Sequence, residues 1–215
     1  MTTLLLASAS PARLATLRSA GLDPLVAVSA VDEPALLAAA GAGTGRVPAA
    51  EQVLLLARAK ARDVVGRAPG VAGADVVLGC DSMLELVVDG AAEVVGKPAD
   101  AAEATARWRR MRGRSGVLHT GHWLVCAGDG REVGRTSSTT VHFADVSDAE
   151  IDAYVASGEP LHVAGAFTID GLGGPFVERL EGDHHGVVGV SLPLLRHLLG
   201  ELGITVPDLW GARER

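Results

Sequence analysis

Three groups of residues in this 215-residue chain have the types and spacing to handle an anionic ligand. The first is Leu6-Ala7-Ser8-Ala9-Ser10-Pro11-Ala12-Arg13, which reads as a strand running into a helix. Ser8 and Ser10 are small enough for the backbone to approach a ligand. The free amides and positive dipole end of the helix favour a phosphate, and Arg13 adds a fork-shaped donor. An ordinary Ser-Pro helix cap with a surface arginine fits the same residues equally well. The second group is a pair of acids. Asp81 follows the apolar run Val76-Val77-Leu78, at a strand end of the kind where α/β sheets place ligands, and suits a base or a metal ligand. Glu33 follows Val31-Asp32 at the end of another expected strand, so Glu33 and Asp81 together can hold a hard divalent cation through oxygen. A hydrogen-bonded turn aspartate is the plain alternative for Asp81.

The third group is defined by scarcity. Of 19 basic residues 17 are arginine, and the only lysines are Lys60 and Lys97; the chain has no Asn and one Gln, Gln52. In so arginine-rich a composition a surviving lysine marks a place where arginine will not serve. A compact ammonium on a flexible stem suits a point contact to a polyphosphate oxygen. Two solvated surface lysines are the competing explanation. The histidines carry less. His119 and His122 on one strand point to opposite faces, and the adjacent His184 and His185 are expected to diverge, which argues against zinc. There is no G-x-S-x-G elbow, no P-loop and no G-x-G-x-x-G fingerprint.

A net charge of −7 and seven aromatic residues without a basic-aromatic stripe exclude a nucleic-acid module. Cys80 and Cys126 form no metal or redox motif and read as reduced thiols. The N-terminus lacks the basic start of a signal peptide, and no apolar run reaches membrane-spanning length. A soluble cytoplasmic protein with no membrane partner is the expectation.

The elements that must position these groups follow from pattern. Strands are expected over Thr3 to Ser8, Leu25 to Ala30, and Ala74 to Leu78 continuing through Leu84 to Val88, with Asp89-Gly90 as a hairpin-type turn. Val117 to Ala127 and Glu132 to Phe143 form a hairpin around Gly128-Asp129-Gly130. Helices are expected from Ser10-Pro11 to Gly21, Glu51 to Arg67, Ala99 to Arg112, Ser147 to Ser157 with a capping box, and Leu192 to Leu202. Arg107, Arg109, Arg110 and Arg112 complement a helix dipole. Ala38 to Pro48 reads as a mobile loop, and 204–215 as a loose tail. The sum is one α/β domain over 1–215 with a mixed twisted sheet flanked by helices.

In this order the motifs resemble the Maf family of nucleoside triphosphate pyrophosphatases, from Leu4 to about Leu199. They are LASASPAR, VDE ending in Glu33, ARAKA around Lys60, GCDS around Asp81, GKPAD around Lys97, TTVHF, IDAYVASGEP, AGAFTIDGLGG and EGDHHGVVGVSLPL. The resemblance implies a deep-clefted fold similar to the inosine triphosphate pyrophosphatases, and hydrolysis of a nucleoside triphosphate to monophosphate and pyrophosphate with Mg2+ or Mn2+. Clearance of modified nucleotides would be its purpose. A homodimer is compatible with it, and the rival role is that of a nucleotide-binding regulator of septum formation. Asp81 matches the family's catalytic acid, and Arg13, Glu33, Lys60 and Lys97 its other polar cleft residues. Ala12, Ser82, Asp170 and Val163 depart from its commonest pattern. Ser82 stands where thymidine/uridine-type members carry Thr, and Asp170 where they carry Gln. A carboxylate at 170 only accepts, so it suits a base offering N–H donors, such as guanine or cytosine.

Overall fold

The computed structural model describes residues 2–42, 47–67, 73–88 and 91–210. Among them seven strands form a mixed sheet: β1 (Leu4–Leu6), β2 (Leu25–Val26), β3 (Val76–Val88), β4 (Ala91–Val95), β5 (Ser115–Cys126), β6 (Glu132–Phe143) and β7 (Val177–Glu181). Their order is β2-β1-β3-β5-β6-β7, with β4 paired to β3. β1 runs parallel to β2 and β3, while β3–β4 and β6–β7 are antiparallel. The helices are α1 (Pro11–Ser19), α2 (Glu33–Gly41), α3 (Ala49–Arg67), α4 (Ala101–Met111), α5 (Asp148–Ala156), α6 (His184–Val188) and α7 (Leu192–Glu201). None of them is long and apolar enough to cross a membrane. The fold is the expected α/β class with a mixed sheet.

The chain divides into two compact units: 1–81 with 120–137 and 189–215, and 82–119 with 138–188. In the first unit the pleat of β1 and β3 sorts side chains by parity. Leu4, Leu6, Val76, Leu78 and Cys80 join one core with Leu17 of α1 and Leu195, Leu198 and Leu199 of α7. Leu5, Ala7 and Val77 join the other, with Ala61 and Val64 of α3. The two faces of the sheet are thus covered by different helices.

α3 lies unusually close to the strands. A Cβ at Gly79 of β3 would overlap the Ala57 carbonyl oxygen, and one at Gly121 of β5 would overlap the Val53 carbonyl. Val53, Ala57 and Ala61 recur every four residues along one face of α3. That stripe is seated on bare backbone because both strands carry glycine there. α3 is also fastened through Glu132 of β6. Its carboxylate accepts from Arg62, from Arg58 at 3.4 Å and from the Trp123 indole N–H at 3.1 Å. The hydrogen bond from Arg62 is the largest influence holding the Glu132 carboxyl down to about 2.

In the second unit the core is aromatic. Trp108 of α4 meets the rings of Phe143, Tyr154 and Phe176 edge-to-face at 5.8, 5.5 and 5.8 Å. Its indole N–H donates to the Ala166 carbonyl at 2.7 Å. α5 begins with the foreseen capping box, Ser147 Oγ accepting from the Glu150 amide and Glu150 accepting from the Ser147 amide.

Several expectations are corrected. Ala38 to Gly41 is not loop but the end of α2, which starts on the Asp32 cap with Pro34 in its first turn and runs through alanines of high helix propensity. Residues 43–46 and the Asp89-Gly90 turn lie outside the described residues. β2 is two exposed residues rather than a strand to Ala30. The tail is held as far as Trp210: Val206–Leu209 form a 3₁₀ turn, Leu209 is buried, and the Asp208 carbonyl accepts from the Thr2 amide at 3.2 Å. The α4 arginines do more than complement a dipole. Arg107 is buried and donates to the Gly96 carbonyl and Glu103, Arg110 pairs with Glu93, and Arg109 and Arg112 pair with Asp148.

Two outcomes follow. Gly121→Ala should destabilise the protein by about 1–3 kcal/mol in denaturant melts, because helix backbone rather than a flexible side chain must give way. Glu132→Gln should cost about 1–2 kcal/mol at pH 7 once solvent screening is allowed for. The lowered Glu132 carboxyl adds stability above its ordinary value of 4.5, and that increment fades as the pH falls towards about 2. Melts at pH 7 and pH 3 should therefore differ less for Glu132→Gln than for the parent chain.

Candidate functional site

Lys60, near the middle of α3, is buried, and Gly79 lets its helix sit deep enough for it to reach β3. Asp81 lies two residues beyond Gly79 on the same face of the strand, which brings its carboxylate under α3. β3 is continuous here, so Asp81 sits within a strand and not at its end. The Lys60 ammonium donates to Asp81 Oδ1 at 2.6 Å and lies 2.7 Å from Glu33 Oε1. Glu33 is the first residue of α2, placed by the Asp32 cap, and its side chain is 46% exposed against 10% for Asp81. The cluster therefore has a buried carboxylate, a buried ammonium and a second carboxylate at its opening to solvent.

Burial is the largest influence on Asp81 and pushes its carboxyl up from the ordinary value. Lys60 and Arg13 pull it back, and the negative charge of Glu33 adds to the rise. Two hard carboxylate oxygens converging on one positive centre form a donor set that fits Mg2+ or Mn2+. Glu33 and Asp81 are the residues that would hold such an ion.

The junction between β1 and α1 is tied to the same place. Ser10 caps α1, its Oγ accepting from the Arg13 amide, and the Ser10 amide donates to Ser8 Oγ at 3.2 Å. Arg13 donates to Ser8 Oγ and to the Cys80 carbonyl at 3.0 Å each, and through Nε to the Gly189 carbonyl at 3.1 Å. The arginine thus grips the peptide immediately before Asp81. Gly189 has φ +128°, and a Cβ there would stand 3.1 Å from both Cγ and Nε of Arg13. Nothing in the sequence pattern joined Arg13 to Gly189; a glycine, the residue that a positive φ favours, was the only trace. Cys80 faces the apolar core, where burial pushes its thiol up to about 12 and keeps it protonated.

The remaining candidates fall in the second unit. Ser82 follows Asp81 in β3, and the pleat turns it to the opposite face. Lys97 is exposed in Gly96-Lys97-Pro98, a turn fixed by the Gly96 carbonyl, which accepts from Arg107 at 2.6 Å and from the Gly165 amide at 3.0 Å. Asp170 is exposed in a turn held by Glu159, which the sequence reading passed over. The Glu159 carboxylate accepts from the Thr168 hydroxyl, the Leu172 amide at 3.0 Å, the Gly173 amide at 3.1 Å and the Tyr154 hydroxyl at 3.2 Å. Its neighbour Gly158 with φ +79° is a signal of a shaped turn.

The histidines separate as expected in one case and not in the other. His122 is buried; its Nε2 accepts from the Ser191 amide at 2.8 Å, so its Nδ1 carries the proton donated to the Thr120 carbonyl at 3.0 Å. His119 instead meets Ser138 and Glu85. His184 and His185 do not diverge: they start the short helix α6, where successive side chains step by about 100°, and their ring centroids are 3.7 Å apart. With Asp183 they bring ligand atoms within 4.8 Å of one another, although the Asp183 carboxylate already accepts from the His185 and Gly186 amides.

Comparison with known proteins adds a family to this geometry. The sequence profile of the family described as Maf-like protein matches residues 3–202. Among curated relatives, a protein of Streptomyces avermitilis is 55% identical over 99% of this chain and 96% of its own length. One from Salinispora tropica is 58% identical over 96% of this chain and 87% of its own, and one from Streptomyces coelicolor 56% over 98% and 96%. All three are named nucleoside triphosphate pyrophosphatase.

The grip of Arg13 gives a direct test. Gly189→Ala should lower stability by about 1–3 kcal/mol, from the strained backbone and the collision with Arg13 together. Thermal unfolding checks it, and an unchanged midpoint would show that Arg13 is not held at that carbonyl.

Proposed function

The chain belongs to the Maf family, and from that membership we propose that it hydrolyses a nucleoside triphosphate to the monophosphate and pyrophosphate with a divalent cation, Mg2+ or Mn2+. The observation that carries this reading is the convergence of Asp81 and Glu33 on a single cationic point, with Asp81 buried among Lys60, Arg13 and Glu33. Glu33 and Asp81 would hold the divalent cation, which when bound would supply Lewis acidity towards the phosphates. Asp81 in its ionised form accepts the proton of the attacking water, a task favoured by a carboxyl raised above the ordinary range.

Positive charge is needed as the anhydride between the α and β phosphates breaks and charge spreads over the phosphate oxygens. Lys60 supplies it from α3. Arg13 supplies it through its field while its fork holds Ser8, the Cys80 carbonyl and the Gly189 carbonyl. Ser8 and Ser10 belong to that same bonded, rigid junction, which is proposed to meet the polyphosphate. Lys97 as a phosphate contact and Asp170 as an acceptor towards the base complete the proposed set. Ser82, expected as a substrate contact, is left out of it because the pleat of β3 turns its side chain away from the face that carries Asp81.

Pyrophosphate release from a panel of nucleoside triphosphates, with Mg2+, Mn2+ and chelator, tests the reading. Turnover should require the cation, and Asp81→Asn should lower it by about 10²–10⁴-fold while the protein stays folded. Full activity in Asp81→Asn would overturn the assignment. Nucleotide binding without pyrophosphate release would favour the regulator instead.

A further inference from the structure

We propose that the Lys60 ammonium is the resident occupant of the cation position between Glu33 and Asp81, and that it must withdraw when a divalent cation binds. This rests on the reading of those carboxylates as the cation's ligands. Lys60 Nζ stands 2.6 Å from Asp81 Oδ1 and 2.7 Å from Glu33 Oε1. It thus occupies the point on which the two oxygens converge. Mg2+ takes carboxylate oxygens at about 2.0–2.1 Å, so both oxygens would have to close on the same point. An ammonium left there would face a doubly charged ion at contact distance.

The charge balance gives the exchange a direction. Asp81 and Glu33 bring two negative charges, against Lys60 on the pair and Arg13 beside Asp81. The cluster is already neutralised, so a bare divalent ion gains little by entering it. A nucleoside triphosphate changes this, because its phosphates offer the displaced ammonium a new partner. Cation and nucleotide binding are therefore coupled through one lysine. The exit lies on the side of Glu33, whose side chain is 46% exposed.

The same requirement explains why this position is lysine in a chain with 17 arginines and two lysines. A point charge on a four-carbon stem can swing between carboxylate and phosphate, whereas a planar guanidinium fork is built to stay on one partner.

That scarcity also supplies the experiment. Protein labelled with ¹⁵N only in lysine carries two side-chain ammonium groups, and the spectrum of Lys97→Arg assigns the remaining one to Lys60. Titration of the parent chain with Mg2+ alone, carried to the high concentrations that its weak entry demands, should move or abolish the Lys60 signal in step with occupancy measured by calorimetry, with Lys97 unmoved. If Mg2+ alone never occupies the site, the same titration in the presence of a non-hydrolysable nucleoside triphosphate should do the same to the Lys60 signal. Saturation by Mg2+ with an unchanged Lys60 signal overturns the proposal. In nucleotide-free protein, Lys60→Met should bind Mn2+ about tenfold tighter than the parent chain; equal or weaker binding also overturns it. Lost charge alone could tighten that site, so the ammonium signal in the unaltered chain decides, and it does so even if the variant fails to fold. Absence of pyrophosphate release from the parent chain would count against the function and leave the lysine exchange measurable. Cation-dependent release with an unmoved lysine signal would do the reverse.

Discussion

The placement of α3 depends on two absent side chains. At Gly79 and Gly121 the helix rests on strand backbone, and Val53, Ala57 and Ala61 form the narrow face that allows it. Close packing makes that separation a fixed quantity, since interiors accommodate an added methyl only by moving something. Every distance in the charged cluster inherits it. A helix standing further out would leave Asp81 buried without its ammonium, and an uncompensated buried carboxylate is costly. The Glu132 fastening of Arg58 and Arg62, one residue on from that face, keeps the helix from rolling, so Lys60 is aimed as well as brought near.

Charge in this region is arranged by how firmly each group is committed. Arg13 is bound to three acceptors on three segments, among them the carbonyl that precedes Asp81. Lys60 is bound to two carboxylates by one small ammonium. Glu33 is half exposed and Asp81 is buried. A fixed arginine and a transferable lysine are different tools, and their chemistry follows from the guanidinium plane and the point-like ammonium.

Much of this was legible in the sequence, and the failures have physical causes. The residue types at Asp81, Glu33, Lys60 and Arg13 were readable because each stands beside a recognisable strand or cap. Their mutual pairing was not, because it depends on α3 lying across two glycines far apart in the chain. The helix α2 is hard to read because its alanines run on in the sequence into Gly41, Gly43 and Gly45, whose loop signal competes with the Asp32-Pro34 start. β4 and β7 are short strands, β4 starting on two exposed alanines and β7 carrying exposed Glu178, Arg179 and Glu181, which leaves little alternation to detect. His184 and His185 lie on a helical turn, which their adjacency in the sequence does not reveal. Glu159 was unremarkable as a residue, since its importance lies in four donors, one from α5 and three from the 168–173 turn, that the fold brings to it.

The three tryptophans are distributed in a way that makes the two compact units separately visible. Trp108 is fully buried at the centre of the aromatic core of one unit. Trp123 lies under the Arg58 guanidinium and Trp210 is half exposed, both in the other. With Trp123 and Trp210 replaced by Phe, the fluorescence of Trp108 reports on a single unit, and the complementary replacement reports on its neighbour. The chain thus carries built-in optical labels for asking whether its two halves melt as one cooperative body or in sequence.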